Sequence, residues 1–149
     1  MIHILIILFL FLFSLTVISC AKKSSDDSST TSSGLFVVVG DSGTILTSSD
    51  GTTWTSRTSG TTSALYDVVY GNSAFVAVGA GGTAISSSDG TSWGTETSGT
   101  TNTLNGVTYG NSIWVIVGEG GLIRSSVEEE MIERTSGTNN NLIRVIYNE

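Results

Sequence analysis

Ser87-Ser88-Asp89-Gly90-Thr91-Ser92-Trp93 repeats, 39 residues on, the earlier stretch Ser48-Ser49-Asp50-Gly51-Thr52-Thr53-Trp54, and the reading of this pair decides the fold. Asp-Gly between apolar runs favours a type I′ hairpin turn, because both central residues then need φ > 0. The Asp carboxylate can also accept hydrogen bonds from backbone N–H groups of its own turn. Asp50, Gly51, Asp89 and Gly90 are therefore assigned to turn capping rather than to a carboxylate site. Trp54 and Trp93 recur at one position of each copy, which suits wedges between neighbouring sheets better than sugar-stacking platforms.

Working outward, the spacing of 39 extends in both directions. Phe36, Phe75 and Trp114 align, as do Gly40, Gly79 and Gly118. Thr58-Ser59-Gly60 returns as Thr97-Ser98-Gly99 and, one residue early, as Thr135-Ser136-Gly137. A period near 40 marks stacked repeat units, none of which can cover its own apolar faces alone. In the middle copy the punctuation predicts four strands: Leu65 to Tyr70, Phe75 to Val78, Thr83 to Ser88, and a fourth beginning near Trp93. The third copy replaces the Asp-Gly hairpin with Val127-Glu128-Glu129-Glu130-Met131-Ile132, losing both the Asp-Gly and the Trp. Its acidic run reads as a solvated loop, with cation binding as the alternative.

These motifs resemble the Asp-box, or BNR repeat, of β-propellers, in a form one residue shorter than Ser-x-Asp-x-Gly-x-x-Trp. The Thr-Ser-Gly-Thr that follows, and the run Tyr70-Gly71-Asn72-Ser73-Ala74-Phe75-Val76-Ala77-Val78-Gly79, resemble propeller proteins related to photosystem II assembly factors. The resemblance covers residues 34–149 and implies an all-β fold of propeller-type repeats, three four-stranded antiparallel blades, with a β-trefoil as the rival. The first copy begins at its second strand, Leu35 to Val39, and the chain ends with a spare first strand, Leu142 to Tyr147. The expected total is twelve strands. Propellers typically have 4 to 8 blades, so four outcomes stay open: a six-bladed homodimer made by strand exchange, a tight three-bladed ring, a fragment of a longer ancestor, or the trefoil.

Ahead of the repeats, Met1 to Ile18 is almost unbroken Ile, Leu and Phe, a signal h-region or a short span. Val17-Ile18-Ser19-Cys20 resembles the lipobox of bacterial lipoproteins. The resemblance implies a signal peptide over 1–19, lipid attachment at Cys20 and anchorage to the membrane through that lipid. An uncleaved anchor with an incidental cysteine is the alternative. Residues 20–33 then comprise the lipidated cysteine and a tether, since Ser24 to Ser33 contains only Ser, Thr and Asp and can bury nothing. In the enteric lipoproteins that this stretch resembles, an Asp after the lipidated Cys marks inner-membrane retention; Ala21 stands there instead, and in a cell with two membranes the resemblance implies the outer membrane of the bacterial cell envelope.

The inventory of 149 residues limits the chemistry. One cysteine, one histidine and no proline exclude a disulfide framework and Cys/His or Ser/His/Asp nucleophilic systems downstream of Cys20. No metal site and no cofactor is expected. The formal charge of −7 argues against nucleic acid. Sialidases also carry Asp-boxes, but Arg57 and Arg134 sit at equivalent repeat positions, as framework residues do. The expected function is a non-enzymatic binding or assembly scaffold for a protein or glycan. The alternatives are a sialidase-like glycoside hydrolase fragment or a degenerate remnant without a partner. The candidate ligand-facing loops carry Asp41, Glu119, Asn102, Asn139 and Asn140, and the innermost strand position holds Asp67, Gly106 and Arg144.

Overall fold

Every regular strand pairs with its neighbour in sequence, which is what short apolar runs separated by Gly, Asn and Ser dictate. The computed structural model describes residues 34–127 and 130–148. The leader, Cys20 and the tether lie outside the described residues, as do Glu128, Glu129 and Glu149. Strands β1 (Phe36–Val39), β2 (Ile45–Ser48) and β3 (Thr55–Arg57) form the first sheet. Strands β4 (Leu65–Gly71), β5 (Ala74–Gly79), β6 (Ala84–Ser87) and β7 (Gly94–Thr95) form the second, and β8 (Leu104–Gly110), β9 (Ile113–Gly118), β10 (Ile123–Val127) and β11 (Glu130–Arg134) the third. All pairings are antiparallel. Three sheets, one per copy, result, and none closes on itself.

Two expectations are corrected here. The first sheet has three strands, not four, because the segment from Leu142 to Tyr147 enters no ladder. The Asp-Gly loops are not type I′ turns: Gly51 and Gly90 have φ near 71°, whereas Asp50 and Asp89 keep negative φ. The physical reason is competition. Each carboxylate binds the two N–H groups that follow Gly, which stabilises a longer capped loop over a two-residue reversal. Type I′ geometry occurs instead at Asn72-Ser73 (φ 48° and 60°) and Asn111-Ser112 (φ 48° and 61°), the tips of β4–β5 and β8–β9.

Alternation along the strands builds two cores. One face of the second sheet contributes Ala77 and Ile85 to a cluster with Ile45 and Leu65, against which Val37, Val39 and Trp93 pack. The opposite face contributes Val78 and Ala84 to a cluster with Leu104, Val107, Ile116 and Leu122, backed by Trp114 and Met131. Period-2 side-chain alternation thus sandwiches the middle sheet between its neighbours. Tyr109 lies over Gly71, where any Cβ would overlap the ring, and Tyr147 lies over Gly110 in the same way.

The Thr-Ser-Gly-Thr motif locks the connection between copies. Ser59, Ser98 and Ser136 each donate from Oγ to the carbonyl two residues on, at 3.0–3.1 Å. That carbonyl rests on Gly43, Gly82 or Gly121 of a 3₁₀ turn, all at φ of 69–77°, where a Cβ would overlap it.

Candidate functional site

The Asp-Gly loops are occupied by their own backbone. Asp50 Oδ1 accepts from Thr52 N and Thr53 N at 2.8 Å, and Ser48 Oγ donates to it at 2.9 Å. Asp89 repeats the pattern with Ser92 N, Thr91 N and Ser87 Oγ at 2.7–3.0 Å. These bonds hold both carboxyls well below the usual carboxylate range, led by the Thr53 N–H for Asp50 and the Ser92 N–H for Asp89. Such a group is a cap, not a free acid or base.

The two Trp residues differ. Trp93 is half-buried against the core between the first two sheets, its Nε1 donating to Gly90 O at 3.1 Å. Trp54 is exposed, tilted against Phe36 with ring centroids 6.5 Å apart, on the face of the first sheet that no described sheet covers. The arginines do not converge. Arg57 Nε donates to Thr47 Oγ1 at 2.9 Å and Arg134 Nε to Ser125 Oγ at 2.8 Å, the same cross-strand bond in two copies. Arg124 reaches Gly99 O and Met131 O and lies 3.7 Å from Glu133, with its Nε buried and unpartnered.

Of the loop residues, Asn102 and Asn139 border one hollow of about 540 Å³, which Glu133 and Arg134 also line. A hollow of about 650 Å³ with Arg57 occupies the equivalent place in the first copy. The repetition makes both a product of the module. Asn140 donates its N–H to Thr138 Oγ1 at 3.1 Å. Asp41 and Glu119 border neither hollow, and their carbonyls accept from Thr44 and Leu122 in the turns. At the inner strands, Asp67 Oδ2 accepts from Val107 N at 2.9 Å, tying β4 to β8.

Between the second and third sheets lies a groove of about 440 Å³, bordered by Asn72, Ser86, Glu96, Tyr109, Ser112, Trp114 and Met131. Its cause is the lost Trp. At the preceding sheet junction Trp93 packs into the core, whereas the third copy packs Met131 in that role. The thinner side chain leaves room. Tyr109 and Trp114 form an aromatic pair with centroids 4.8 Å apart, and Glu96 Oε1 accepts from Ser86 Oγ at 2.6 Å on the rim. An aromatic wall beside hydroxyl, amide and carboxylate groups suits a small ligand with one apolar face and several hydroxyl or amide groups. The sequence signal was the missing Trp in the third copy, which marks a vacancy as much as a degraded turn.

Among the described residues no group of three or more His, Cys, Asp or Glu gathers in metal-binding geometry, and no helix is long and apolar enough to cross a membrane. Comparison with protein-family models, with curated proteins and with solved structures finds no match.

Proposed function

We propose that the chain is a lipid-anchored protein of the bacterial cell envelope, held at the outer membrane through Cys20, whose propeller-type blades act as a non-enzymatic binding or assembly scaffold for a glycan or protein. Support for blades over a trefoil comes from the ladders. Every pairing falls within one copy, and the pairing between copies that a trefoil barrel requires is absent among the described residues. The groove between the second and third sheets carries the binding reading, because it sets an aromatic pair beside hydroxyl, amide and carboxylate groups. The cross-strand use of Arg57 and Arg134 favours binding over sialidase-type catalysis.

The test is a screen of the full chain in detergent against a panel of oligosaccharides and short peptides. A hit is then measured with Met131→Trp, which refills the groove, and with Asp41→Asn, which lies outside it. Loss of binding in the first and retention in the second supports the proposal. Equal binding by both variants removes the groove from it. Metabolic labelling with a radioactive fatty acid, absent in Cys20→Ser, checks the anchor separately.

A further inference from the structure

Among the described residues, the first and third sheets each carry exposed apolar side chains on one face, and the two faces are the complementary halves of a junction that the molecule already makes twice. At the internal junctions, positions equivalent to Phe36, Val38, Leu46 and Trp54 face the preceding sheet; Ala77, Ile85 and Trp93 do so in the second sheet. Positions equivalent to Ile113, Val115 and Ile123 face the following sheet; Val37 and Ile45 do so in the first. In this chain Phe36 is 56% exposed, Val38 43% and Trp54 39%. Ile113, Val127 and Ile132 stand exposed on the third sheet.

The segment from Leu142 to Tyr147 supplies the missing strand. It already occupies the place of an inner strand following the third sheet: Leu142 N donates to Gly118 O at 3.0 Å, as Leu65 N does to Gly40 O, and Asn105 Nδ2 donates to Leu142 O at 2.9 Å. No described strand pairs with its other edge, and Ile146 is 72% exposed. We propose that this segment of one copy pairs with β1 of a second copy and the reverse, closing six four-stranded sheets under two-fold symmetry. This inference goes beyond the binding reading and does not depend on the groove.

The β8–β9 ladder fixes the register. Leu104↔Gly118, Val107↔Ile116 and Tyr109↔Trp114 become Leu142↔Gly40, Val145↔Val38 and Tyr147↔Phe36. The last pair repeats Tyr70–Phe75 and Tyr109–Trp114, whose centroids lie 4.7 and 4.8 Å apart. Closure also sets Arg144 of one copy one inner strand before Asp67 of the other, opposite charges in sequence around the centre. Six sheets lie within the usual range for a closed propeller. Pairing hides both free edges, the exposed state of which invites uncontrolled association.

Because Val107 N turns toward Asp67, the Val145–Val38 pair is the non-hydrogen-bonded kind, whose Cα atoms approach within disulfide range. Two differently tagged full chains in a Cys20→Ser background, Val38→Cys in one and Val145→Cys in the other, are co-expressed, extracted in detergent and oxidised. The proposal predicts a covalent dimer bearing both tags, little of it when Ile146→Cys replaces Val145→Cys, and a native mass of two chains. It also predicts that Ile146→Pro, which removes a ladder N–H, returns the mass to one chain whose circular dichroism loses no more strand than this one segment. A disulfide that forms only within one chain carrying both cysteines, or a dimer that survives Ile146→Pro, overturns it.

Discussion

Gly81 and Gly82 are neighbours in one 3₁₀ turn, both with positive φ, and alanine at each should cost different amounts. Gly81 (φ 63°) has open space around its Cα, so Ala there meets only the left-handed penalty of about 1 kcal/mol. The first copy already places Ser42 at this position with φ 55°. At Gly82 (φ 72°) the same penalty is joined by a collision with Thr100 O. That carbonyl must leave the 3.1 Å hydrogen bond from buried Ser98 Oγ, costing a further ~1–3 kcal/mol for an unsatisfied buried hydroxyl. With a urea slope of roughly 1.5 kcal/mol per molar, the unfolding midpoint should fall by about 0.7 M for Gly81→Ala and by about 1.3–2.7 M for Gly82→Ala. Urea titration followed by tryptophan fluorescence reads both. Equal shifts would refute the locking of each inter-copy connection onto its glycine turn.

Other consequences follow from the caps, the tryptophans and the groove. Asp50 and Asp89 are held below the ordinary value of 3.8, so their contribution is fully present above that value and drains away as pH falls below it. The Asp50→Asn/Asp89→Asn double variant should therefore lose less stability than the parent between pH 6 and pH 2, read as urea midpoints across that range. Trp93→Ala should cost about 3 kcal/mol, the lower end for a large aromatic that is only half-buried. Trp54→Ala should leave the unfolding midpoint of a dissociated chain nearly unchanged while weakening the two-chain species, measured by sedimentation at falling concentration. Met131→Trp should raise the thermal midpoint if the indole seats as Trp93 does; a fall would mean that the groove walls cannot accept the ring.

The copies and their sheets were readable because strand-forming residues and turn residues alternate on a short cycle, and every ladder is local. Trp93 and the Asp89 cap were readable for the same reason: the spacing placed them at a repeated junction. The turn type at Asp89-Gly90 was misread, because Asp-Gly serves equally in a tight reversal and in a capped loop. Only the identity of the donors to the Asp89 carboxylate, the Thr91 and Ser92 N–H groups, separates them. Leu142 to Tyr147 has the pattern of a strand, yet a strand needs a partner, and no described strand of the same chain pairs with it. The groove is hard to see in the sequence because it is the absence of a side chain. Its only trace was Met131 and Ile132 standing where the earlier copies have Trp.

The central claim is that each copy forms its own sheet and that successive sheets pack through their inner strands. The most direct measurement is the set of proton chemical shifts and nuclear Overhauser contacts of Gly71 and Gly110 in the isotope-labelled chain. Tyr109 over Gly71 and Tyr147 over Gly110 predict strongly upfield α-protons on both glycines and cross-peaks to those rings. Ordinary glycine shifts without ring contacts would contradict the packing on which the whole account stands.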